Sequence, residues 1–140
     1  MREPGLCEIL AHADGEVLDA LTGLIPEDVE LVRHPLEGLV LMTCREGMGG
    51  RFHLGEVLVA ECQVRYRGTL GHAMVIGGDE RQALVAASVD ALRAHGEAHP
   101  DLERIEELIG TLRDRLVGLR ELDASLSAST RVEFDLMPGA

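Results

Sequence analysis

The chain contains no lysine, no tryptophan and no asparagine, and its aromatic side chains are Phe52, Phe134 and Tyr66 alone. Without lysine there is no Schiff-base amine and no phosphate-loop ammonium. With aromatics at 2%, little is available to stack on bases, so a single-stranded nucleic-acid platform is not expected. A net charge of −12 repels phosphate backbones and anionic membrane surfaces. The three cysteines, Cys7, Cys44 and Cys62, lie far apart and form no C-x-x-C pair, which argues against a disulfide framework or a zinc ribbon. No apolar run reaches the length of a membrane span. Met1 to Gly5 lacks a secretory pattern, so a cytoplasmic chain is expected, with neither nucleic acid nor membrane as partner.

What remains is 140 residues at 46% apolar, enough for one domain over residues 1–140 with an aliphatic core. Leu6, Ile9 and Leu10, then Val17, Leu18 and Leu21, recur at helical spacing, giving two short helices or one broken near Gly15. From Val29 the pattern alternates like a strand. His34 to Gly38 has turn chemistry, and Leu39 to Cys44 is an apolar run, so a hairpin is expected over Val29–Cys44. Gly47 to Gly50 reads as a loop. A long strand follows, with Leu58, Ala60, Cys62, Val64 and Tyr66 on one face and Glu61, Gln63 and Arg65 on the other. Gly68 turns the chain into a strand from Leu70 to Ile76. Asp79 and Gln82 form a capping box before a helix striped by Leu84, Val85, Val89 and Leu92, and Gly96 suits its end. After Pro100, a seam at Leu102, Ile105, Ile109, Leu112, Leu116 and Leu119 marks a late helix. Its own core is the favoured contact for that seam, and a second helix the alternative. Arg131 to Leu136 alternates like a short terminal strand. The expected class is α+β: an antiparallel sheet of about four or five strands packed by helices, with a leucine-rich late helix and a short C-terminal strand.

Candidate chemistry is sparse. His53, Glu56 and Glu61 offer acid–base residue types, and a free-standing small hydrolase using them is one alternative. His53 and Glu56 fall on opposite strand faces unless Gly55 introduces a bulge, and Glu56 and Glu61 likewise have odd spacing, whereas paired-carboxylate chemistry needs convergence on one bond. Cys62 falls on the apolar face, as a core thiol. His95 and His99 have the spacing of a helical metal pair, but Gly96 and Pro100 break the helix there. His72 reads as a core or interface imidazole. Gly47 to Arg51 leads into a strand and so lacks the helix dipole of a phosphate loop. Arg65-Tyr66-Arg67 is the one dense basic spot and can serve a partner's carboxylates or protect a strand edge. No catalytic residue and no metal ligand is assigned.

Four ordered blocks carry a resemblance: Phe52-His53-Leu54-Gly55-Glu56-Val57-Leu58-Val59-Ala60-Glu61-Cys62-Gln63-Val64, Gly68-Thr69-Leu70-Gly71-His72, Met74 to Asp79, and the closing Thr130-Arg131-Val132-Glu133-Phe134-Asp135-Leu136-Met137. In that order they resemble the PhnG family, a small subunit of the bacterial carbon–phosphorus lyase core complex in phosphonate metabolism. His72 departs from the tyrosine that related chains often carry after that glycine. The resemblance implies PhnH-, PhnI-, PhnJ- and PhnL-type partners. It also implies a supporting role in a transferase reaction, with the chain inactive alone. In that reaction an alkylphosphonate displaces adenine from ATP to give ribose 1-alkylphosphonate 5-triphosphate. ATP and alkylphosphonate are then substrates of the complex, and no cofactor is bound by this chain. Partner contacts are expected at Phe52, Leu54, Glu56, Arg65, Arg67, Arg131, Glu133 and Phe134. A homo-oligomeric interaction module is a further alternative.

Overall fold

The computed structural model describes residues 2–97 and 99–130. Two short helices, α1 (Leu6–Ala11) and α2 (Gly15–Leu24), open the chain. They are separate because Asp14 caps the second, its Oδ1 accepting from the Val17 N–H at 2.9 Å. Three strands follow: β1 (Val29–Arg45), β2 (Arg51–Tyr66) and β3 (Thr69–Ile76). They form one antiparallel sheet in the order β1-β2-β3. Helices α3 (Glu80–His95) and α4 (Leu102–Ser129) complete the described chain.

The class is α+β, but among the described residues the sheet has three strands rather than four or five. The hairpin expected over Val29–Cys44 is a single 17-residue strand. Its apparent turn is absorbed by register shifts between Leu31 and Arg33 and between Arg33 and Leu36. Pro35 lacks a donor, yet β1 is an edge strand, where a proline at an irregularity costs no ladder bond. Gly38 then pairs with Val59 as an ordinary strand residue. The expected terminal strand, Arg131 to Leu136, lies outside the described residues.

Alternation places the core. On β2, Ala60, Cys62, Val64 and Tyr66 are buried, and on β3, Gly71, Ala73 and Val75. These meet Val85, Val89 and Leu92 of α3 and the α4 seam at Ile105, Ile109, Leu112 and Leu116. The seam therefore packs on its own domain. Leu119 is the exception and is exposed. Helix α3 packs along one face of the sheet, and α1, α2 and α4 join the same core, while Leu70, His72, Met74 and Ile76 alternate to the other side of β3 and are exposed.

The capping box at Asp79 forms in full, with Oδ1 accepting from the Gln82 N–H at 2.8 Å and Gln82 Oε1 accepting from the Asp79 N–H at 2.9 Å. Gln82 Nε2 also donates to the Ala11 and Ala13 carbonyls, at 3.3 and 3.4 Å, tying α3 to the α1–α2 junction. Gly96 ends α3 in the left-handed region at φ 75°. Between β2 and β3 the chain turns on Arg67 and Gly68, both at positive φ, the geometry of a two-residue hairpin turn.

Candidate subunit interface

The strand ladder sets Glu61 apart from the other two acid–base candidates. His53 sits opposite Thr43, Glu56 opposite Leu41 and Glu61 opposite Leu36. A register shift between Met42 and Thr43, at Gly55 with φ 131°, is a bulge that brings His53 and Glu56 onto one face of the sheet, with Glu61 on the other. Glu61 instead accepts a hydrogen bond from His72 Nε2 at 3.0 Å and another from Arg33 Nη1 at 3.3 Å. The His72 bond holds the Glu61 carboxyl below its usual range, partly offset by desolvation and helped by the Arg33 charge. An anion stabilised in this way is a poor proton acceptor. The His72–Glu61 pair was not legible in the sequence, because it depends on a cross-strand diagonal from Gln63↔His72 to Glu61↔Met74.

The other candidates have structural surroundings. His95 Nδ1 shares a 3.0 Å hydrogen bond with Thr69 Oγ1. Tyr66 packs edge-on to His95 and His99, with centroids 5.1 and 6.5 Å away. Among the described residues, no group of three or more His, Cys, Asp and Glu is placed to hold a metal ion. The glycine loop is a tight hairpin end, closed by the Glu46 N–H to the Gly50 carbonyl at 2.7 Å. Its own Glu46 carboxylate stands beside the loop backbone, a Cβ at Gly50 lying 3.1 Å from Glu46 Oε2, and its charge disfavours an anion there. Cys62 is fully buried, and desolvation raises its thiol pKa. Arg67 is engaged within the domain: Nε donates to Asp28 Oδ2 at 2.9 Å, and the guanidinium lies 5.1 Å from the Tyr66 ring centre. Arg65 is exposed, opposite Glu30 and Leu70.

Apolar surface is what the structure gathers in quantity. No residue between Glu30 and Leu58 belongs to the buried core. β3 stops at Ile76, opposite Val59, and the Gly77 N–H still donates to the Leu58 carbonyl at 2.7 Å, so β2 from Arg51 to Val57 pairs with β1 alone among the described residues. The result is a two-stranded arm that reaches roughly 25 Å past the end of β3 at ~3.3 Å per residue. Leu39, Val40, Leu41, Met42, Phe52, Leu54 and Leu58 lie along it, each between 39% and 64% exposed. Phe52, Leu54 and Glu56, three of the expected contact residues, are on this arm and exposed. Arg131, Glu133 and Phe134 lie outside the described residues. A second apolar feature leaves the same end of the domain. Arg120 lines a cavity with Met74 and Ile76, and around and beyond it Leu119, Leu122 and Leu126 are each 57% exposed. A contiguous apolar area of this kind on a small domain marks an interaction surface.

The sequence matches the phosphonate metabolism protein PhnG family over residues 4–139. The chain belongs to the PhnG family. It is 35% identical over 112 residues to the alpha-D-ribose 1-methylphosphonate 5-triphosphate synthase subunit PhnG of Rhizobium meliloti (strain 1021), an alignment covering 79% of this chain and 70% of that relative. The family is one of phosphonate metabolism. No described helix is long and apolar enough to cross a membrane.

Proposed function

We propose that this chain is an accessory subunit, supplying structure rather than an active site to a synthase of the kind named for its relative. In the reaction, a phosphonate oxygen attacks the ribose C1 of ATP. The C1–O bond forms as the C1–N bond to adenine breaks, and adenine leaves with a proton. The product is ribose 1-alkylphosphonate 5-triphosphate. The partners are a PhnI-type subunit, which carries the nucleosidase chemistry, with PhnL-, PhnH- and PhnJ-type subunits in the larger cytoplasmic assembly. The observation that carries this proposal is the extended apolar arm on a domain whose candidate carboxylates, Glu56 and Glu61, lie on opposite faces of the sheet. The charge balance supports it too. A triphosphate is strongly anionic, and a lysine-free chain at −12 is a poor sole host for one.

Co-expression with a PhnI-type subunit tests this directly. The two chains are expected to elute as one stable species on size exclusion. A chain ending at Thr130 is expected to enter that species less completely. Separate elution of the full-length proteins would remove the accessory role.

A further inference from the structure

We propose that the β1–β2 arm inserts into an apolar-walled cleft of a partner subunit that covers both of its faces. Resting on the accessory role above, the occupant is a different polypeptide of the complex rather than a second copy of this chain.

The two-sidedness of the arm is the first reason. Val40 and Leu41 are neighbours on a strand, so their side chains point to opposite faces, and both are exposed, at 42% and 54%. A flat surface covers only one of these faces. An isologous pairing of two arms also leaves the outer face of each in water. Only a cleft removes both from solvent.

Area and charge point the same way. The seven large apolar side chains of the arm present on the order of 700 Å², close to the ~800 Å² that a standard interface buries on each partner. The α4 stripe, with Leu119, Leu122 and Leu126, falls well short of that. From Leu36 to Cys44 the only charged residue is Glu37, and from Phe52 to Ala60 only His53 and Glu56 are ionisable. Interface cores are depleted of charge in this way. On a chain of net charge −12, this makes the arm a match for apolar walls, not for a basic groove.

The sheet edges complete the fit. β3 shields its outer edge, where the His72 N–H donates to Asp90 Oδ2 at 3.0 Å. Beyond Ile76 the lane beside β2 holds no strand among the described residues, so an extended partner segment can pair there by strand addition.

The test uses the full-length chain with the PhnI-type subunit proposed above, with affinity measured by titration. Val40→Asp probes one face of the arm and Leu41→Asp the other, and Leu122→Asp on α4 serves as the comparison. Each arm variant is expected to weaken binding at least tenfold, while the isolated chain keeps its unfolding midpoint and sediments as a monomer. If the wild type binds and either arm variant binds equally well, two-faced insertion is wrong although the accessory role survives. A wild-type dimer dissociated by Leu41→Asp would make a second copy the occupant and overturn the proposal. So would arm amides protected from exchange in the isolated chain and exposed by truncation after Thr130, since the chain's own terminus would then fill the lane. A wild-type chain that does not bind at all would overturn both the insertion and the accessory role.

Discussion

Gly71→Ala is expected to destabilise the domain by about 3 kcal/mol or more, a loss typical of forced overpacking in a core. A Cβ at Gly71 would lie 2.6 Å from both the backbone nitrogen and the Cβ of Ala91, and still closer to the Ala87 carbonyl oxygen. Two of these three atoms are backbone, so relief requires α3 to move off the sheet. Gly71 is the point at which β3 and α3 come closest, and the small residues Ala83, Ala87 and Ala91 are buried along the same helix. With a total stability of roughly 5–15 kcal/mol for a domain of this kind, the unfolding midpoint is expected to fall by about 10 °C. Gly38→Ala is the matching comparison, because a Cβ there meets nothing within 4 Å. A Gly71→Ala midpoint within about 2 °C of wild type would contradict the close approach of α3 to β3.

Leu112→Asp and Leu122→Asp are expected to behave as opposites. Both leucines lie on α4, but Leu112 is 4% exposed within the core and Leu122 is 57% exposed beyond it. An aspartate at Leu112 buries an unpaired carboxylate, which is expected to cost more than 4 kcal/mol and leave little folded protein at 37 °C. An aspartate at Leu122 is expected to stay within about 0.5 kcal/mol of wild type. Circular dichroism melts of the two variants check this. If Leu112→Asp stays folded and only lowers the particle mass, the seam belongs to a helix–helix dimer, as the homo-oligomer alternative holds.

Local signals were legible in the sequence where one element decided them. Asp79 and Gln82 announced the α3 cap, Gly96 its end, and the even-numbered apolar residues from Ala60 to Tyr66 the buried face of β2. The α4 seam was also legible as far as Leu116. Where it leaves the core was not, because periodicity cannot report the point at which a long helix outruns its neighbours. Pro35 and Gly38 looked like a turn because their local preferences are those of a turn. Pairing with β2 overrode them, and bulges accommodated the mismatch.

The candidate site was legible only in fragments. Phe52 and Leu54 stood out through the family resemblance, and the structure shows them exposed on the arm. That Leu39 to Met42 lies exposed on the same arm was missed, since the apolar run Leu39 to Cys44 reads as a strand buried on both faces. The His72–Glu61 bond needs the β2–β3 register, which no single segment encodes. Arg67, expected to meet a partner, also has partners within the domain that no single segment reveals: Asp28 and the Tyr66 ring.

The most direct measurement follows adenine release and phosphonate incorporation from ATP and methylphosphonate, using this chain alone, a PhnI-type subunit alone and the two together. The account predicts no turnover by the chain alone and a larger share of ribose 1-methylphosphonate 5-triphosphate when both are present. Turnover by the purified chain alone, or an unchanged product distribution on adding it, would contradict the claim that this domain acts through its partners.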